Sequence, residues 1–311
     1  MTRDLPVLFL GLFLVVAVAP AVAAGQAEPS RPTFRAGVDL VPVAAVVRDD
    51  HGRTVGGLRA DDFVVVDGGE RRPVLGFSED PASPISLAVL VDESGSMSGG
   101  RARVRAFVSA LVAELGRMAV PGDRVALSGF SSSVREIVPF TTDLGRLQSG
   151  LERTEAFGAT AVHDAIAAAA RRLVFVQGRR ALVVVTDGMD TRSLLTIEQV
   201  SGIAGAIDVP VYVASVERAT GARPEVRASL EDLARWTGGG AIDATAPGAA
   251  NAAASRIVAD VRHQYLIAFE SAPQPGWRLL EIRTTQPGLT VRARSAYVAG
   301  PGGGRCGSPG L

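Results

Sequence analysis

The sequence predicts an α/β fold: a doubly wound, mostly parallel sheet, flanked by a β-sandwich-like domain built from the N- and C-terminal segments. Three observations predict it. Between residues 84 and 261, short apolar runs alternate with segments of helical periodicity. Ahead of that stretch, residues 38–78 are rich in β-branched residues and turn signals, and residues 264–298 return to the same pattern. Strand–helix alternation favours parallel strands with helices on both faces, because each return crossing of the sheet needs a helix. Neither flanking segment has enough strands to be stable alone, so the two are expected to form one β domain with the α/β unit inserted between them.

The elements follow in order. Residues 1–24 have a short polar start, an apolar stretch from Leu5 to Val18, then Pro20 and small residues. Ala21-Val22-Ala23 fits a small-x-small cleavage pattern, as does Val22-Ala23-Ala24. This is the pattern of a signal peptide, and it predicts a secreted or periplasmic protein. A membrane becomes a partner only if the segment stays uncleaved, since Leu5–Ala24 is just long enough to span a bilayer. Residues 25–37 form a polar, proline-containing linker.

The run from Val38 to Asp49 reads as a strand, which Pro42 marks as an edge or a bulge. Asp67-Gly68-Gly69-Glu70 between two apolar runs is a hairpin signal. Ile85–Val91 is a continuous apolar run, as expected of a strand buried on both faces. Val104, Phe107, Val108, Leu111, Val112, Leu115 and Met118 then recur at helical spacing. Strands are predicted at Asp123–Ser131, Arg180–Gly188 and Val209–Val216, with an edge strand at Val134–Phe140 and a short strand in Gly238–Asp243. Helices are predicted near Asp143–Leu151 and over Thr160–Leu173, Thr196–Ile207 and Glu225–Trp236, with an Ala-rich one ending near Val261. Three more β runs follow from Gln264. The tail, 299–311, is crowded with glycine and proline and reads as disordered. It carries Cys306, the one cysteine of the chain, so no internal disulfide can form.

Composition narrows the function. Hydrophobic residues make up 47% and charged residues 21%, so a packed core is expected. Lys+Arg and Asp+Glu are both 32, giving zero net charge. Nucleic-acid binders need a basic excess, so no nucleic-acid partner is expected.

The chemistry is concentrated in Val89–Val104, VLVDESGSMSGGRARV, where a buried strand runs into two acids, Asp92 and Glu93, and three serines ahead of a helix. A serine nucleophile finds no support: in Gly95-Ser96-Met97-Ser98-Gly99 the central residue is Met97, and His51, His163 and His263 offer no evident base. Phosphate fits poorly, because no Lys follows Gly99-Gly100 and Asp92 would repel it. A metal ion fits. Asp92, Ser94 and Ser96, spaced i, i+2, i+4, can bring hard oxygens round one point in a tight turn. Thr160 at a loop-to-helix junction and Asp187 at the carboxyl end of a buried strand add two more, where open parallel sheets form their sites. The bland reading is that the serines only cap the helix. Glu93, Asp164 and Asp190 read as solvated or capping acids, with Asp190 placed to support the ligands from behind.

Asp-x-Ser-x-Ser after an apolar strand, the loop Gly158-Ala159-Thr160 and the strand end Thr186-Asp187-Gly188 resemble a von Willebrand factor A (VWA) domain, over about residues 84–261. The family usually has Gly-Gly-Thr in the middle loop; Ala159 departs from it. The flanking β segments resemble those of bacterial VWFA-related secreted proteins. The resemblance implies a Rossmann-like domain in which Asp92, Ser94, Ser96, Thr160 and Asp187 form a metal-ion-dependent adhesion site for Mg²⁺, or for Mn²⁺ or Ca²⁺. Three of the five side chains are neutral hydroxyls, so a bound ion keeps positive charge for a partner's Asp or Glu carboxylate. No general base stands among the five, so a binding protein is expected and an enzyme is not. The alternatives are an assembly protein that uses the domain for self- or complex formation and, behind it, an exported hydrolase.

Overall fold

The computed structural model of the protein describes residues 39–300, apart from 155–157, 174, 177, 197, 198, 201, 203–208 and 218–223. The expected signal peptide (1–24), the linker (25–37), nearly all of the tail (299–311) and most of the helix expected over Thr196–Ile207 lie outside the described residues.

The chain opens with β1 (Leu40–Arg48), β2 (Phe63–Asp67), β3 (Glu70–Arg72) and β4 (Gly76–Ser78). β2 and β3 form the hairpin read from Asp67–Glu70, with Val65 opposite Arg72. Gly68 and Gly69 turn it with φ of 57° and 90°, a pair of left-handed residues that suits glycine in a tight hairpin.

The α/β unit follows. Its strands are β5 (Ile85–Asp92), β6 (Arg124–Phe130), β7 (Val134–Thr141), β8 (Arg179–Thr186), β9 (Val211–Ser215) and β10 (Gly240–Asp243). They form one sheet in the order β10-β9-β8-β5-β6-β7. Every pairing is parallel except that of the edge strand β7 with β6. The helices are α1 (Arg101–Arg117), α2 (Leu144–Leu151), α3 (Val162–Leu173), α4 (Pro224–Trp236) and α5 (Ala249–Arg262). In α1 the buried residues Val104, Phe107, Val108, Leu111 and Leu115 line one face, as their spacing requires. Phe107 and Leu111 of α1 pack with Ile257 and Val258 of α5 on one side of the sheet. Ile166 of α3 and Leu230 and Leu233 of α4 cover the other. β5 and β8 are buried on both faces, which is why their sequences are continuous apolar runs.

The chain ends with β11 (Tyr265–Glu270), β12 (Gly276–Thr284), β13 (Thr290–Ala293) and β14 (Ala296–Ala299). These do not form a sheet of their own. One four-stranded sheet has the order β13-β1-β11-β4 and the other β14-β12-β2-β3, so each mixes strands from both ends of the chain. Val43, Ala45, Val65, Phe269 and Tyr297 belong to the core between them.

Two expectations need correcting. β1 is not an edge strand, and Pro42 marks no bulge: Pro42 stands opposite Ala268 in a regular register. β13 pairs only with Ala45–Arg48, so at Pro42 the strand has one neighbour, and the missing N–H costs no ladder bond. The third helix begins at Val162 rather than Thr160. The Thr160 carbonyl instead accepts the N–H groups of Thr191 and Arg192, both at 2.9 Å, so its backbone serves a loop crossing.

α5 also joins the α/β unit to the β sheets. Asp260 is fully buried, and its two oxygens pair with Arg48 of β1 and Arg292 of β13. Arg262, also buried, pairs with Asp123 and donates to the carbonyls of Ser83 and Met118 at 3.1 and 3.2 Å. Close backbone approach limits one nearby position. A Cβ on Gly239 would overlap the backbone of Val211. Gly239→Ala is therefore expected to cost about 1–3 kcal/mol, read as a lower urea midpoint at unchanged m-value.

Candidate metal centre

The site sits at the carboxyl ends of β5 and β8, adjacent strands of the sheet. Asp92 is the last residue of β5 and only 3% exposed. Its Oδ1 accepts the Ser94 N–H at 2.9 Å and its Oδ2 accepts the Thr186 hydroxyl at 2.7 Å. The chain then winds through a short 3₁₀ helix, Gly95–Gly99. Ser94 is buried and Ser96 exposed, with their hydroxyls 3.0 Å apart. Ser94 occupies the cap position of this turn but makes no side-chain cap bond, and the cap of α1 is Gly100. Helix capping is therefore not what these two serines do.

Three further loops close on this turn. Gly95 N–H donates to the Gly158 carbonyl at 3.0 Å, which ties the first loop to the one carrying Thr160. The Ala161 N–H donates to Ser131 O at 2.8 Å, bringing in the loop after β6. Thr160 is buried, and its N–H donates to the Thr191 hydroxyl at 3.0 Å. Asp187 directly follows β8 and is 1% exposed. Its Oδ1 accepts the Met189 N–H at 2.9 Å, while its Oδ2 is buried and makes no hydrogen bond.

The electrostatics are unbalanced. Burial pushes the Asp92 carboxyl up to about 6 against the hydrogen bonds from Ser94 and Thr186, and the charge of Asp187 adds to the rise. Among the described residues, no arginine or histidine forms an ion pair with either carboxylate. Buried carboxylates are ordinarily paired, hydrogen-bonded on both oxygens or bound to a metal. Two acids, one of them with an unmet carboxylate oxygen, and three hydroxyls offer a hard-oxygen donor set that fits a divalent cation such as Mg²⁺ or Ca²⁺.

Neighbouring acids have other work. Glu93, read as solvated or capping, is buried and paired with Arg135 at 2.7 Å. Asp164 accepts the N–H groups of Leu194 and Leu195 at 3.0 and 2.9 Å. Asp190 accepts the Ser193 N–H at 3.2 Å and lies 3.1 Å from His163 Nδ1. Both acids fix the loop after Asp187 against the start of α3. The residue that sequence reasoning missed is Thr186, which holds Asp92 Oδ2. Its signal was a single polar residue closing the buried run Ala181–Val185. Asp49, Asp50 and His51 also bring potential ligand atoms within 4.8 Å of one another. There Asp49 is already engaged by the His51 and Arg53 N–H groups and by the Arg53 side chain, so that turn is explained without an ion.

A mostly parallel sheet wrapped by helices, with acids and hydroxyls at the carboxyl ends of its central strands, defines an open α/β domain whose candidate site lies where such sheets form their sites. The family model described as von Willebrand factor type A domain matches residues 87–189; this part of the chain is a von Willebrand factor type A domain. Among solved structures, the von Willebrand factor type A protein from Catenulispora acidiphila is 12% identical, with 86% of this chain and 74% of that chain covered at a TM-score of 0.50. An aerotolerance-related membrane protein from Bacteroides fragilis is 20% identical, covering 57% of this chain and 98% of that chain at a TM-score of 0.46. The PilB minor pilin from Streptococcus sanguinis is 14% identical, covering 58% and 61% at 0.47. No curated protein matches the chain in sequence.

Proposed function

We propose that the protein is an exported, non-enzymatic binding module whose A domain holds a divalent cation through Asp92, Ser94, Ser96, Thr160 and Asp187 and takes a carboxylate of a protein partner there. The observation that carries this reading is the buried Asp187 Oδ2, without a hydrogen bond and beside the buried Asp92. A cation supplies the charge that this pair lacks. The neutral hydroxyls of Ser94, Ser96 and Thr160 leave it electrophilic enough to attract an anionic oxygen, and the exposure of Ser96 leaves that side open. Glu93, the acid nearest in sequence, is engaged by Arg135, which supports binding over water activation.

The test has two parts. After chelation, Mg²⁺ should raise the melting temperature of the wild type, with each tenfold excess over the dissociation constant adding about 1.4 kcal/mol. A protein partner captured in Mg²⁺ should be released by chelator, and Thr160→Ala should weaken its binding more than it weakens folding, since a hydroxyl is lost but no charge is left unpaired. Equal affinity with and without Mg²⁺, for wild type and variant alike, would rule this reading out.

A second reading, assembly, draws on Trp277 and Leu279. Both stand exposed on one face of β12 and offer an apolar surface remote in sequence from the five site residues. Size-exclusion chromatography separates the two: concentration-dependent association that persists in chelator and is lost in Leu279→Ser favours assembly.

A further inference from the structure

A cleft of about 480 Å³ lies at the seam between β1 and α5, lined by Arg48, His51, Arg53, Thr54 and Arg256 with Gly52 and Ala259. Its charge is out of balance. Arg48 shares the single carboxylate of Asp260 with Arg292, and Arg53 is paired with Asp49 at 2.7 Å. Arg256 forms no hydrogen bond or ion pair with any described residue, although its neighbours Arg48 and Arg292 carry like charge. Partial burial of its guanidinium, together with those two neighbours, holds Arg256 below the usual arginine range. The Nε of Arg48 is buried and also lacks a partner. Four guanidiniums thus meet two engaged carboxylates, Asp49 and Asp260, and the exposed Asp50, which lies 2.6 Å from His51.

We propose that this cleft is an anion site for a phosphate-type oxyanion, with Arg256 as its principal ligand and Arg53 and Thr54 on the facing wall. Guanidinium and hydroxyl donors drawn from a β-turn and a helix suit a tetrahedral oxyanion with several acceptor oxygens. The volume exceeds that of a bare ion, so the oxyanion can belong to a larger ester. Burial and the charges of Arg48 and Arg292 outweigh the attraction of Asp260 for Arg256, so a guanidinium without a direct partner gains on anion binding what it lacks in the free protein. The cleft shares no residue with the metal centre, so this inference stands or falls apart from the proposed function.

The probe is inorganic phosphate, titrated into the purified protein and compared with chloride at equal ionic strength. Phosphate should give a saturable rise in melting temperature. Arg256→Ala should melt no lower than the wild type in chloride, because no ion pair is lost and repulsion from Arg48 and Arg292 is relieved, and it should bind phosphate roughly tenfold more weakly or worse. Arg53→Ala should weaken it as well. Flotation with phosphatidylglycerol and with neutral phosphatidylcholine vesicles separates the sources. A phosphate response without flotation assigns a soluble ester, and one with flotation on the anionic vesicles alone, lost in Arg256→Ala, assigns a lipid headgroup. No shift beyond the chloride control, or a shift unchanged in Arg256→Ala, overturns the proposal.

Discussion

Asp260→Ala should destabilise the protein by about 3–5 kcal/mol. The carboxylate is 0% exposed and bridges Arg48 and Arg292, whose own side chains are largely buried. Arg292 also lies over the Tyr212 ring, 5.5 Å from its centroid, and burial holds that tyrosine hydroxyl far above its usual range. Removing Asp260 leaves two largely buried guanidiniums pressed together, so the cost is that of uncompensated buried charge rather than of one lost contact. The exposed pair Arg283–Glu281 is the control: Arg283→Ala should leave the urea midpoint close to that of the wild type, because a solvent-exposed ion pair contributes little to stability.

The seam makes a second readout available. The chain has two tryptophans: Trp236 ends α4 and Trp277 lies in β12. Single-tryptophan variants therefore report the α/β unit and the β sheets separately. In the wild type the two urea transitions should coincide, as for one cooperative unit. In Asp260→Ala they should move to lower urea and separate, because α5 has lost its hold on β1 and β13. A loss below about 1 kcal/mol with coincident transitions would mean that the bridge does not couple the two parts.

The fold class was legible because burial writes itself into composition. β5 and β8 are covered on both faces and so are apolar throughout, whereas α1 is covered on one face and repeats at helical spacing. The mixing of strands from both chain ends followed from the shortness of each segment. Asp260 was not legible. In an Ala-rich helix it looks like any surface acid, and its partners stand 212 and 32 residues away, at no spacing that periodicity can register. Glu93 failed the same way, since Arg135 pairs with it across a strand and a helix. Asp92 and Asp187 sit at strand ends, where a polar residue interrupts an apolar pattern, and the i, i+2, i+4 spacing of Asp92, Ser94 and Ser96 added a geometry. What linked the loops was a backbone bond, Gly95 to Gly158, which side-chain identity does not encode.

The sharpest test of the metal centre is a change of sign. Asp187→Asn keeps the shape of the side chain and removes its charge. In chelator at pH 8, above the value of Asp92, the wild type holds two buried carboxylates together, and one oxygen of Asp187 lacks a partner. The amide removes the repulsion and supplies a donor where only acceptors stood. The variant should therefore be more stable than the wild type without metal, by about 1–2 kcal/mol. In Mg²⁺ the order should reverse. The wild type gains stability by mass action, about 2.7 kcal/mol at a hundredfold excess over its dissociation constant, while the neutral amide gives up most of the ion's attraction. Urea denaturation of both proteins across a Mg²⁺ titration should thus yield two curves that cross. An Asp187 that serves only the fold, through its bond to the Met189 N–H, predicts instead a variant that is less stable at every Mg²⁺ concentration, with no crossing. Serine and threonine substitutions cannot make this distinction, because they remove no charge; the unmet carboxylate oxygen is what turns loss of a ligand into a gain of stability when the ion is absent.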